Sequence, residues 1–152
     1  MHENAAALIP ELQAWNDEKG ISLEGWINCI GRYDHIIGYA TIFWPDFVLY
    51  EDCIFFETPD RKYYESWLAK YKGDKTRVEG MINHQHVVDL SPNAEFKPTK
   101  EIVIHIGRLL KDIWQCKLNR DFPDRRVKVE FCEDVETENL VDYQITVFQE
   151  RE

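Results

Sequence analysis

The sequence predicts an α+β fold: a small antiparallel sheet of about four strands packed against four to five helices, with a single layer of helices over one long central helix. Three observations carry that expectation. Residues 99–120 repeat apolar side chains at helical spacing over the longest stretch of the chain. Residues 127–131 and 141–147 alternate apolar and polar side chains at strand spacing, and two short apolar runs flank the acidic pair Glu51-Asp52. At 152 residues the length fits one globular domain, 1–152, whose core needs no disulfide or metal to hold it.

Taken in order, Ile9 to Trp15 reads as a short helix with Pro10 in its first turn and Gly20 as its stop. Ser22 opens the next helix as a cap, although Gly25 stands where a capping box would place Glu. Ile36 to Trp44 is apolar nearly throughout, so helix and buried strand are not separable by pattern, and Pro45 closes it. Phe47 to Tyr50 and Cys53 to Phe56 form the two arms of a hairpin.

Thr58-Pro59-Asp60 reads as a helix entry with the Thr hydroxyl as cap, followed by Tyr63, Tyr64, Trp67, Leu68 and Tyr71 at helical spacing as far as Gly73. Asp74 caps a second helix to about Asn83, with Val78, Met81 and Ile82 as its buried side, and the two helices are expected to be antiparallel. Ser91 to Pro98 is a loop. Thr99 then caps the long helix, whose apolar arc comprises Ile102, Val103, Ile106, Leu109, Leu110, Ile113, Trp114 and Cys116. Two strands follow, Val127 to Phe131 and Val141 to Val147, paired across the acidic connection Glu133 to Asn139.

Composition narrows the functional classes. With 44% hydrophobic and 13% aromatic residues, the chain has too much buriable surface to be disordered. No apolar run approaches the roughly 18 residues of a membrane-spanning helix, and the N-terminus has no basic flank before an apolar stretch, so no membrane association and a cytoplasmic location are expected. Cys29, Cys53, Cys116 and Cys132 stand singly with no zinc-finger spacing, and are read as reduced, mostly buried thiols.

The charge is the most informative feature. The net charge is -10. Residues 33–60 hold six acids and no Lys or Arg, and residues 129–152 hold eight acids against Arg151, so these two stretches more than account for the whole excess. Such a field repels phosphate backbones and excludes nucleic acid as the expected partner, while it speeds encounter with a basic protein. The same excess also serves plain solubility. Residues 33–60 add eight aromatic side chains between their acids, the residue types that carry binding energy at interfaces when exposed and core packing when buried.

Signals for chemistry are weaker. His84, His86 and Asp89 form the one local group of metal-capable ligands, with His84 and His86 on the same side of an extended segment, but no third ligand is evident and no metal or other cofactor is expected. His105 sits at the border of the long helix's apolar arc. No activated nucleophile, calcium loop or glycine-rich phosphate cradle occurs, and no catalytic residue is assigned.

The sequence therefore points to a non-enzymatic, acidic protein-interaction domain that binds a basic protein. An immunity or antitoxin-type inhibitor of a basic toxin, as found in bacteria, is one kind with such properties. The expected contact residues are Asp46, Tyr50, Glu51, Asp52, Glu133, Asp134, Glu136 and Glu138. The alternative is a small enzyme or ligand-binding protein with a pocket between the sheet and the long helix, using His84, His86 or His105. A third reading, a homodimer subunit, requires an apolar face that meets its own copy.

Overall fold

A computed structural model describes residues 5–94 and 96–151. The fold is α+β, and the described residues form six α-helical segments and two small antiparallel sheets of two and three strands. Two compact units divide the chain, residues 1–41 and 42–152. Among the described residues no helix is long and apolar enough to cross a membrane.

In the first unit, Pro10 begins a 3-10 turn (Pro10–Ala14) as its fixed φ and missing N–H allow. α1 (Trp15–Glu18) is one turn wound left-handed, with φ of 56° at Asn16 and 53° at Asp17, residue types that tolerate this region, and Gly20 ends it. α2 (Leu23–Ile30) is capped by the Ser22 hydroxyl, which accepts from the Gly25 N–H. The run whose pattern was ambiguous is α3 (Tyr33–Phe43), eleven residues long, about twice the usual strand length. Neither α2 nor α3 contains a buried residue.

In the second unit, β1 (Val48–Tyr50) and β2 (Cys53–Phe55) pair antiparallel, with Tyr50 opposite Cys53, so Glu51 and Asp52 form a two-residue turn. α4 (Arg61–Lys70) is capped by Asp60, which accepts from the Tyr63 N–H, and not by Thr58; Pro59 precedes the cap instead of opening the helix. α5 (Lys75–Ile82) is capped by Asp74 as expected, but its fully buried residues are Val78 and Glu79, while Met81 and Ile82 are half-buried.

β3 (Gln85–His86) precedes α6 (Lys100–Asp121), which Thr99 caps through the Ile102 N–H. β4 (Val127–Phe131) and β5 (Gln144–Gln149) complete a sheet of order β3-β5-β4. Val141 lies in a 3-10 turn, so β5 starts three residues later than its alternation suggests.

α6 crosses this sheet. Val103, Leu110, Trp114 and Leu118 recur on its inner face and pack with Val127, Val129, Phe131, Tyr143, Ile145 and Val147, all buried. Each aliphatic side chain removed from water in this way contributes roughly 1.5–3 kcal/mol before entropy is counted. Trp114 carries a polar group into the core and donates its Nε1–H to the Ile42 carbonyl at 2.9 Å. A smaller cluster of Cys53, Phe55, Tyr64 and Val78 joins β2 to α4 and α5. Three of the four thiols are exposed: Cys116 turns off the outer side of α6, Cys132 follows Phe131 onto the opposite side of its strand, and Cys29 lies on α2.

Candidate functional site

The hairpin turn is where the acidic sequence acquires a definite geometry. Glu51 and Asp52 have φ of 49° and 65°, the left-handed values that a two-residue hairpin turn demands at both central positions and that Asn-Gly satisfies with less strain. Cations hold this turn in place. Lys75 Nζ donates to the Glu51 carbonyl at 2.7 Å, Arg151 Nη2 donates to the Asp52 carbonyl at 2.8 Å, and Arg125 Nη1 donates to the Asp52 carboxylate at 2.7 Å. The Arg125 hydrogen bond is the main reason the Asp52 carboxyl titrates below the ordinary aspartate range.

Beneath the turn lies Glu79, fully buried. Its carboxylate accepts from the Ile54 N–H at 2.7 Å, from the Gln149 N–H at 2.9 Å and side chain at 2.6 Å, and from Arg151 Nη1 at 2.6 Å. Asn83, one helical turn further along the chain, donates its Nδ2 protons to the carbonyls of Ile54 and Val147. Hairpin, α5 and the end of β5 are thus joined by polar contacts that leave the buried carboxylate with both partners and countercharge.

The expected contact residues fall into two groups. Asp46, Glu51 and Asp52 are exposed, and Tyr50 is half-buried with its ring edge-on to Tyr64. Asp134, Glu136 and Glu138 are exposed, whereas Glu133 is half-buried and ion-paired to Arg108 on α6. β5 separates the groups: Gln149 at its last position donates to the Asp52 carbonyl, while Gln144 at its first accepts from the Cys132 N–H. Five residue steps of strand, roughly 17 Å, lie between those anchors, so the two acidic stretches do not share one patch.

The aromatic side chains of residues 33–60 divide in the same way. Tyr33, Tyr39 and Trp44 are exposed, Phe55 is buried, and Phe43, Phe47 and Phe56 are half-buried against the main core. Trp44 lies against Lys117 and Arg120, whereas Tyr33 and Tyr39 are among the large side chains that α2 and α3 leave exposed. Ile27 and Ile30 on α2 and Tyr33, Ile36, Ile37 and Tyr39 on α3 are each more than two-fifths exposed, Tyr33 at 88%. Tyr33, Ile36, Ile37 and Ala40 follow the i, i+3, i+4, i+7 spacing of one helix face.

His84 and His86 do meet, with their Nε2 atoms 3.2 Å apart, and His86 Nδ1 reaches the Val141 carbonyl. Among the described residues no group of three His, Cys, Asp or Glu side chains is arranged to hold a metal. His84 lines an open groove with Tyr71, Met81, Cys132 and Thr146, on the α5 and β5 side. The space between sheet and α6 is filled by the core, to the point that the Phe131 ring covers Gly107. Cys53 is buried, and desolvation, followed by the Glu79 charge, pushes its thiol up and away from the reactive thiolate. No family model, curated protein or solved structure matches the chain.

Proposed function

We propose that this chain is a non-enzymatic protein-interaction domain whose partner is a basic protein. The observation that carries the reading is the set of large apolar side chains that α2 and α3 leave exposed. Six large side chains on these two helices are each more than two-fifths exposed, and apolar side chains gathered at the surface in this way mark interaction sites. The sign of the partner follows from the net charge of -10 and from the exposed acids Asp46, Glu51 and Glu57 of a segment without Lys or Arg. Inhibitors of the immunity or antitoxin kind, which cover a basic toxin, combine these properties. A histidine-based catalytic pocket has less support, since His84 and His86 spend their facing ring nitrogens on each other.

Cross-linking in the source cells, followed by reconstitution with the purified partner, tests this. The expected result is a basic partner whose complex weakens at least tenfold in Ile37→Asp with the fold unchanged by circular dichroism. Recovery of acidic partners alone, or a complex indifferent to Ile37→Asp, contradicts it.

A further inference from the structure

A second surface feature lies in residues 55–85, outside the expected contact residues. A cleft of about 450 Å³ opens between the segment after β2, the start of α4 and the end of α5. Phe56, Pro59, Tyr63 and Ile82 belong to the apolar part of a lining that is otherwise polar. Glu57 and Asp60 stand at its exposed rim. Asn83 also lines it, 1% exposed, and its Oδ1 has no hydrogen-bond partner.

That orphan acceptor favours a ligand that brings a hydrogen-bond donor. Both Asn83 Nδ2 protons are engaged by carbonyls, Ile54 at 2.7 Å and Val147 at 2.9 Å, so the amide orientation is fixed and the free atom is an oxygen. A buried acceptor without a partner is uncommon and costs stability, which a donor from a ligand would recover. The charged groups at the rim are both carboxylates, beside the Thr58 hydroxyl and the half-buried Gln85 amide, and Asp60 spends one oxygen on the α4 cap, leaving its second unengaged. Acceptors over aromatic walls suit a planar cation with several N–H donors and no acceptor, which is a guanidinium.

We propose that this cleft receives an arginine side chain presented by the basic partner, with the guanidinium between Glu57 and Asp60, stacked on Tyr63 or Phe56, and donating to Asn83 Oδ1. The inference rests on the basic-partner reading and supplies the group that is recognised. It also gives Glu57, Asp60 and Asn83 a binding role outside the expected contact residues.

Titration of the isotope-labelled full chain with Nα-acetyl-arginine N-methylamide tests the cleft, with the neutral citrulline analogue as the isosteric control. Expected are shifts at Glu57, Asp60, Tyr63 and the Asn83 side-chain amide, and binding at least fivefold weaker for citrulline. Binding should also weaken at least fivefold in Glu57→Gln/Asp60→Asn, where Asn at 60 remains a good helix cap. Absence of these shifts at about 10 mM probe, where even a millimolar Kd registers, overturns the proposal. So do equal shifts with citrulline. If a purified basic partner binds with a Kd unchanged in Glu57→Gln/Asp60→Asn, the cleft proposal falls while the interaction reading stands. If the arginine probe binds the cleft but no basic protein binds the chain, the partner reading falls and the ligand is a free guanidino compound.

Discussion

The ring of Phe131 lies directly on the backbone of Gly107: a Cβ built at position 107 would stand 2.2 Å from the Phe131 Cζ and 2.3 Å from Cε2. Gly107 is buried in the middle of α6, where glycine normally destabilises a helix by about 1 kcal/mol relative to alanine. Close approach of helix and sheet accounts for its presence.

Gly107→Ala is therefore expected to destabilise the protein, by about 2 kcal/mol net, because overpacking against a fixed ring outweighs the gain in helix propensity. Combining it with Phe131→Leu should recover part of the loss. Urea denaturation of the two variants and of Phe131→Leu alone measures both effects. A stabilised Gly107→Ala would contradict the packing described.

The hairpin turn makes the opposite prediction. Glu51→Asn/Asp52→Gly places residues suited to left-handed φ in the turn while keeping the backbone carbonyls that Lys75 and Arg151 hold. Loss of the exposed Arg125 ion pair removes at most about 1 kcal/mol, so the double variant should be more stable by roughly 1 kcal/mol. The shift of the denaturation midpoint reads this directly.

Glu79 and Arg151 are expected to be coupled. Glu79→Ala leaves two buried backbone N–H donors unpaired, at Ile54 and Gln149, and should cost at least about 3 kcal/mol. Arg151→Ala keeps those hydrogen bonds but strips the buried carboxylate of its countercharge, and should cost about 2 kcal/mol. In a double-mutant cycle, the Arg151 effect should largely vanish in the Glu79→Ala background; additive losses would count against the pairing.

Thiol reactivity checks the burial of the small cluster. Cys29, Cys116 and Cys132 are exposed, and Cys53 is fully buried with its thiol pushed up. Native protein should titrate three thiols rapidly with an aromatic disulfide reagent at mildly alkaline pH, and the fourth only after unfolding. Cys53→Ser should leave the rapid amplitude unchanged.

Much of the architecture is legible in the residues themselves. Ser22, Asp74 and Thr99 cap the helices they announce, and the alternation of 127–131 fixes which side of β4 is buried. The buried arc of α6 is harder to assign at its edge. Cys116 is apolar and exposed, while Lys117 is buried because its amine pairs with Asp121 and its stem lies in the core-facing turn. Glu79 was likewise unreadable, since a carboxylate flanked by Val78 and Gly80 looks like a solvated helix residue until Gln149 and Arg151, some seventy positions away, arrive to satisfy it. The acidic excess is plain in the sequence, but its division into two groups depends on β5 lying between them, which is a matter of strand register.

Association kinetics with the purified basic partner test the central claim most directly. For an acidic face meeting a cation-rich surface, the association rate should fall at least tenfold between about 0.03 and 0.3 M salt. Glu51→Lys/Glu57→Lys should slow association at low salt and flatten that dependence, with dissociation little changed. An association rate that ignores both salt and these substitutions would contradict the account.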